Sequence, residues 1–407
     1  MIKTHCRGCN SSNLTSVISL GQTPLANNLL NSVDENNELF PLEVVYCEKC
    51  HNAQLSYVVP PEKMFDNYLY VSSTAKSFRD HFAKAAEDYT KELNLSTESV
   101  VVDIGSNDGI ALSPFAQSGI KVVGVEPASN IAKIANERNI ETINSYFDKE
   151  TAEKIISRFG HVDLVTASNV FAHSDLLKDI TENVFLMLKE DGTFIIEVQY
   201  LVDTIKDMTF DNIYHEHVNY WSVTSLNNFF DRLGFVVTKI CHVETHGGSI
   251  RAYVKRKDAK IDVSVKTYLD FEEEFGILKK ETYEIFYKKI QNVKKNVNKN
   301  LSLLKDKGLK IAGYGSPAKA TTALNYFEIG TNFIEYVVED NCLKHNKVLP
   351  GVKIPIKSKE ELITNKPDVV VIMAWNFANE IKHNNKDLIE SGIRFISIKD
   401  LQSEDFK

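Results

Sequence analysis

Tyr214-His-Glu-His217 places a phenol, two imidazoles and a carboxylate in succession. Histidine takes up a proton near neutral pH, and a neighbouring carboxylate such as Glu216 can orient it or stabilise its charge. Proton transfer is the chemistry this run favours, and four polar side chains in a row are not all expected in a core. Two alternatives stay open. A metal would need a third ligand, and two histidines two positions apart diverge on a helix. A satisfied structural cluster is the blander reading. Tyr220 and Trp221 follow and can wall a pocket. His173 comes shortly after the apolar run Val162-Asp-Leu-Val165, at a strand mouth where ligands of parallel sheets sit.

A second group can hold a cofactor. Val101-Val-Asp-Ile-Gly-Ser-Asn-Asp-Gly109 reads as a strand running into a turn and then a helix, with Gly105 and Gly109 allowing close backbone approach. Glu126 ends the next apolar run, where an acid can accept both hydroxyls of a ribose. Asn107 lies in the turn, and Asn169 ends the third run. A dinucleotide pyrophosphate prefers a helix N-terminus free of acids. Asp103 and Asp108 beside this turn suit a cationic sulfonium better. The turn with Glu126 resembles motifs of class I S-adenosylmethionine-dependent methyltransferases. A merely structural strand and turn is the alternative.

Cys6-Arg-Gly-Cys9 and Cys47-Glu-Lys-Cys50 are two pairs at the spacing that wraps a tetrahedral ion. Four thiolates close such a site to water, so zinc there is read as structural. Cys241 and Cys342 stand alone and are read as core residues.

The elements that position these groups follow from periodicity. Short apolar strands alternate with helices from about residue 100 to 200 and again after Leu309, the mark of parallel sheets covered by helices. The Lys-, Glu- and Asn-rich stretch between reads as one long helix. The expected fold class is α/β, in four parts: a zinc-ribbon module over 1–65, a cofactor-binding Rossmann-like domain over 66–258, a connecting helix over 259–307 and a smaller Rossmann-like domain over 308–407. With 407 residues, the chain is long enough for two or three domains. A net charge of −8 disfavours nucleic acid. No apolar run suggests a membrane span, and the start lacks a signal-peptide layout, so a cytoplasmic location is expected. A monomer is one reading of the chain, whose oligomeric state the sequence leaves open.

Taken together, the cysteine pairs, Leu20-Gly-Gln-Thr-Pro-Leu-Ala-Asn27, Phe40-Pro-Leu42, Cys50-His-Asn-Ala-Gln-Leu55, Tyr68-Leu-Tyr-Val-Ser-Ser73, His81, Asp103–Gly109, Tyr214–His217 and Gly313-Tyr-Gly-Ser-Pro-Ala-Lys319 span nearly the whole chain. This set resembles the three-domain sugar C-methyltransferases of deoxysugar pathways. The resemblance implies S-adenosylmethionine as methyl donor and carbon 3 of a nucleotide-linked 4-keto-deoxyhexose, with thymidine diphosphate as the carrier, as acceptor. It implies His217 as base, with Tyr214, Glu216 and His173 around the sugar, and Tyr68, Tyr70, Ser72 and Lys319 as further substrate contacts. His246-Gly-Gly-Ser-Ile-Arg251 also resembles a family segment, either a loop beside the substrate or a tight hairpin turn.

The neighbouring ketone acidifies the carbon 3 proton, and its removal leaves an enolate whose oxygen needs a donor, for which Tyr214 or His173 is a candidate. Three rivals remain. A nicotinamide-dependent oxidoreductase would use the C-terminal turn with Glu339 or Asp340 on a ribose. A sugar O-methyltransferase would look much the same. A zinc-ribbon scaffold would have no chemistry.

Overall fold

The computed structural model describes residues 1–65, 72–74 and 76–406, so Tyr68 and Tyr70 lie outside the described residues. These residues build sheets of four, seven and five strands.

The N-terminal sheet pairs Leu14–Thr23, Phe40–Cys47 and Ala53–Leu55 antiparallel. Its fourth strand, Asn219–Tyr220, arrives from far along the chain and pairs with Ala53 and Gln54. At one end sit two matching turns. The N–H of Asn10 donates to the Cys6 carbonyl at 2.8 Å, and that of His51 to the Cys47 carbonyl at 2.9 Å. Asn10 and His51 both take positive φ, 57° and 61°, which closes each turn so that its two sulfurs converge.

The central sheet has the strand order Phe235–Val243, Ser249–Arg256, Leu188–Gln199, Val162–Ser168, Val100–Ile104, Lys121–Val125, Thr142–Ile143. Val100–Ile104 is buried at every position, as expected of a strand with helices over both faces. The last five strands in that order run parallel. Phe235–Val243 and Ser249–Arg256 form an antiparallel hairpin on the edge, so the sheet is mixed where alternation predicts a parallel one. That hairpin turns through His246–Arg251, where Gly248 has φ of 107°. Chain order reverses between Val100–Ile104 and Val162–Ser168, which opens a crevice at their C-terminal ends.

The single helix expected over 259–307 is two, Val263–Phe275 and Lys280–Asp306. Gly276 separates them in the left-handed conformation, φ 85°, and its N–H caps the carbonyls of Glu272 and Glu273. Ile277, buried in the break, anchors the corner. Tyr283, Phe286, Ile290, Val297, Leu301 and Leu304 then recur at helical spacing and are buried, which packs the longer helix against the core.

The third sheet is parallel throughout, in the order Ile356–Lys357, Val337–Val338, Ile311–Tyr314, Val369–Ile372, Arg394–Ser397. Its own order reverses beside Ile311–Tyr314. Among the described residues, no helix is long and apolar enough to cross a membrane.

Candidate active site

Both crevices open on one cavity of about 1750 Å³. From the central unit its wall takes Gly105, Asn107, Glu126, Ser168, Asn169, His173, Tyr214 and His217. From the C-terminal unit it takes Gly315, Lys319, Glu339, Asp340 and Trp375, and from the N-terminal module Asn27.

The cofactor end is built by glycine geometry. Gly105 has φ of 66°, and a Cβ there would lie 2.4 Å from Val170 Cγ2, so only glycine fits. Asn107, φ 48°, turns its N–H onto Glu126 Oε2 at 2.9 Å. The Ala128 N–H donates to Glu126 Oε1, also at 2.9 Å. Burial pushes the Glu126 carboxyl up, and these two backbone donors oppose that. The side-chain oxygen of Asn107 accepts the Ser72 N–H at 2.9 Å, bringing Ser72 to the cavity wall. Asn169, φ 57°, donates its N–H to the Glu197 carbonyl at 2.7 Å, while its buried Oδ1 has no partner. A ligand donor in the cavity would satisfy that oxygen. The apolar wall of Val125 and Phe147 beside Glu126 suits a purine. These residues fit an adenosyl sulfonium cofactor.

The two acids expected beside the sulfonium, Asp103 and Asp108, are not on the cavity wall. Asp103 is buried in the sheet, accepts the Thr166 hydroxyl at 2.6 Å and is absent from the cavity wall. Its pKa is raised to about 7 by burial, so it is no fixed negative charge near neutrality. Asp108 is paired with Arg138 at 2.6 Å, which consumes its charge. Gly109, φ 81°, lies behind the turn against Ile140.

At the reacting end, Tyr214–His217 is a tight turn closed by the His217 N–H on the Tyr214 carbonyl at 2.9 Å. The turn splits the four side chains. Tyr214 and His217 face the cavity with ring centroids 4.0 Å apart, and His173 lies 5.0 Å from His217. His215 points the other way, edge-on to Phe40. Glu216 is 4% exposed, off the cavity wall, and accepts the Asn27 amide at 2.6 Å. His215, Glu216 and His217 are all buried, against the expectation that polar neighbours in a run cannot be. A carbonyl cannot donate, so the ring donates in the 2.7 Å contact between His217 Nδ1 and Asn212 O, which puts the proton of the neutral imidazole on Nδ1. Burial drives His173 and His215 down to about 4, so both rings are neutral at pH 7. Tyr220 and Trp221, read as pocket walls, are core instead. Tyr220 pairs in the N-terminal sheet, and Trp221 stacks on Phe171. Of the lone cysteines, Cys241 is half-buried and packs against the edge of the core, whereas Cys342 is exposed at the C-terminal rim and is not core.

Two clusters border this cavity whose grouping the sequence did not reveal, although His81, Arg251 and Lys319 each lie in segments it singled out. Glu197, 1% exposed, accepts Arg251 Nε at 2.6 Å and His81 Nε2 at 2.8 Å. Burial would raise its carboxyl, but His81 and Arg251 outweigh that and hold it at about 2. A charged residue inside the apolar run Thr193–Val198 was the available signal. In the second cluster, Trp375 donates to Asp211 Oδ2 at 2.6 Å, with the ammonium groups of Lys319 and Lys399 4.8 and 3.9 Å from its ring centroid. Burial lowers the Lys319 pKa to about 8, against the opposing pull of Asp211.

The four cysteine sulfurs lie within 4.8 Å of one another and are buried. Cys6–Cys50 and Cys9–Cys47 are each 3.5 Å apart. Tetrahedral zinc with bonds near 2.3 Å separates its sulfurs by roughly 3.8 Å, so the thiols fit that ion. No other group of three or more ligating side chains converges among the described residues.

At the C-terminal turn, Glu339 accepts the Ser316 N–H at 2.8 Å and the Asn341 N–H at 3.1 Å, and Asp340 accepts the Tyr314 hydroxyl at 2.9 Å. Both acids are tied to the turn itself.

If Glu126 grips a ribose, Glu126→Ala should weaken binding of S-adenosylmethionine by about 1–3 kcal/mol, the scale of charge-assisted hydrogen bonds. Calorimetry giving an unchanged Kd would move the cofactor elsewhere.

Comparison with known proteins agrees with this geometry along the chain. Residues 6–65 match a zinc binding domain family, 76–240 a methyltransferase domain family and 244–398 the C-methyltransferase C-terminal domain family. The C-methyltransferase NovU of Streptomyces niveus is 37% identical over 395 residues, covering 96% of this chain and 94% of that protein. Among solved structures, an S-adenosylmethionine-dependent methyltransferase from Clostridium acetobutylicum ATCC 824 has a TM-score of 0.36 at 14% identity, over 45% of this chain and 93% of that one. Magnesium protoporphyrin IX methyltransferase (ChlM) from Synechocystis PCC 6803 with bound SAM has a TM-score of 0.33 at 12% identity, over 44% and 79%. Superpositions at that level carry no argument. The identity to NovU does, and with the three matched domains it makes this chain a member of the C-methyltransferase family.

Proposed function

We propose that the enzyme methylates carbon 3 of a nucleotide-linked 4-keto-deoxyhexose, with S-adenosylmethionine as donor and His217 as the base. The observation that supports this reading is the buried Nδ1–H···O=C bond of His217 to Asn212, which places the neutral ring's proton on Nδ1 and makes Nε2 the nitrogen that could accept one. Of the other candidates, His215 is off the cavity and His173 is a weak base, lowered to about 4.

His217 removes the carbon 3 proton, and the electrons pass to the ketone oxygen. Tyr214 and neutral His173, both beside His217, can donate to that enolate oxygen, and a donor already in place costs no reorganisation as charge develops. The sulfonium supplies an electrophilic methyl group when bound. Glu126, Asn107, Gly105 and Asn169 hold the adenosyl end, and the surrounding apolar wall excludes water. The two phosphates of the carrier find cations in Lys319 and Lys344 on the C-terminal wall. The test is a panel of keto-sugar nucleotides with the donor, analysed by mass for one added methyl and by NMR for its position. A methyl ether product would favour O-methylation.

Lys319 gives this reading a pH signature. A folded pKa near 8 means its charge is lost as pH rises through that value. The kcat/KM for the nucleotide sugar, which reports the free enzyme, is therefore expected to fall above about pH 8. Lys319→Gln should lower kcat/KM and erase the descending limb. A limb that persists in the variant assigns it to another group.

A further inference from the structure

The segment Leu25–Leu30 of the N-terminal module belongs to neither α/β unit yet is bonded to both. The Asn27 amide donates to Glu216 Oε1 at 2.6 Å. One residue earlier, the Ala26 carbonyl accepts the Thr321 hydroxyl at 3.0 Å, from the helix Ala318–Phe327 that also carries Lys319. Leu30 then makes a two-way backbone bridge with Val348, each N–H donating to the other's carbonyl at 2.9 Å. Farther along the same excursion, Asn37 Oδ1 accepts the Gly351 N–H at 3.1 Å. The strap is thus fastened to the C-terminal unit on both sides of Asn27, whose side chain it offers to the catalytic turn.

Glu216 precedes His217 in the turn that the His217 N–H closes on the Tyr214 carbonyl, so holding its carboxylate helps hold the turn and, with the Asn212 contact, the ring that follows. A buried carboxylate is stabilised by each donor that reaches it, and the Asn27 amide is one at 2.6 Å. From this placement we infer that Asn27 is a positioning residue for proton removal by His217, acting through Glu216, and that its own position is set by docking of the C-terminal unit. The inference rests on the reading of His217 as base. It gives the N-terminal module a part in the chemical step: engagement of the C-terminal unit, which holds the nucleotide, is felt at the catalytic turn through Thr321, Ala26 and Asn27.

The test uses the full zinc-loaded chain and the nucleotide sugar in heavy water without methyl donor, reading exchange of the carbon 3 hydrogen. Asn27→Ala should slow exchange and kcat by about tenfold or more, the scale of one hydrogen bond to a charged group, with KM for the sugar nucleotide little changed. Asn27→Asp keeps the shape but removes the donor and adds a like charge, so it should be at least as slow as the alanine variant. Zinc content and Tm should stay near wild type for the aspartate variant, which keeps the test sound if alanine loosens the strap. Thr321→Val should slow exchange to a smaller degree. Wild-type exchange in Asn27→Asp would overturn the assignment, and so would a raised KM with unchanged kcat, which makes Asn27 a substrate contact. Wild-type exchange in Thr321→Val would overturn the link to the C-terminal unit. Absence of exchange in the unmodified enzyme would instead count against His217 as base, so the two failures are distinct.

Discussion

His217→Asn is expected to lower turnover by about 10²–10⁴-fold, the usual contribution of a general base, while S-adenosylmethionine affinity stays at its wild-type value. Asparagine can still donate from its amide toward the Asn212 carbonyl, so the buried acceptor need not be orphaned. What it lacks is the basic nitrogen on the other side of the ring. The partial reaction separates chemistry from binding. In heavy water without donor, the wild type should exchange the carbon 3 hydrogen, and the variant should not. A variant that exchanges at the wild-type rate would sink the assignment and pass proton removal to another group. His173 could then take it only if bound substrate raised its pKa well above 4.

Removing zinc is expected to abolish activity as well as the fold of the first 60 or so residues. Cysteine-ligated zinc in small domains supplies on the order of 10 kcal/mol of folding free energy, far more than this short sheet gains from its own core. From the sequence, zinc loss threatens the module more than the chemistry. The structure joins the two. The Leu55 N–H donates to the Val218 carbonyl at 3.0 Å, one residue past His217, and Ala53 pairs with Tyr220. The Cys50 carbonyl accepts the Asn228 amide at 3.2 Å and the Cys9 carbonyl accepts Arg232 at 3.1 Å. Cys47→Ser or a strong chelator should therefore deprotect the amides of both Ala53–Leu55 and Val218–Tyr220 in hydrogen exchange, with kcat falling in step. Loss of metal that leaves Val218–Tyr220 protected and kcat intact would confine zinc to the module.

The sequence was most legible where chemistry demands a rigid local pattern. Two pairs of cysteines, each with two residues between its members, point to a shared ion, and Gly105 announces a turn that no side chain can enter. Charge was misread where its partner lies far along the chain. Asp108 looks like a ligand for a cation until Arg138 claims it, and Asp103 until Thr166 does. Glu197 stayed hidden because its meaning depends on His81 and Arg251, each from a different element. The Tyr214–His217 run was recognisable as a site, but its division into cavity-facing and buried members is set by a turn and not by helical spacing. The long polar stretch concealed its break because Gly276 is one residue in an otherwise continuous helical pattern.

The four-stranded N-terminal sheet has one further consequence, for how such chains can be recombined. Its outermost strand, Asn219–Tyr220, is encoded beyond the turn that bears His217, whereas the other three lie within the first 55 residues. A gene segment ending at residue 65 thus specifies a sheet lacking one strand, and the remainder specifies a strand with no sheet. Grafting the first 65 residues of a relative onto this chain would succeed or fail at the Ala53–Tyr220 and Gln54–Asn219 pairs, and at Asn27 against Glu216. Inheritance should therefore link residues 25–30 and 53–55 with 214–220 as one unit of exchange, so that a chimera carrying all three stretches from one parent outperforms one divided between them.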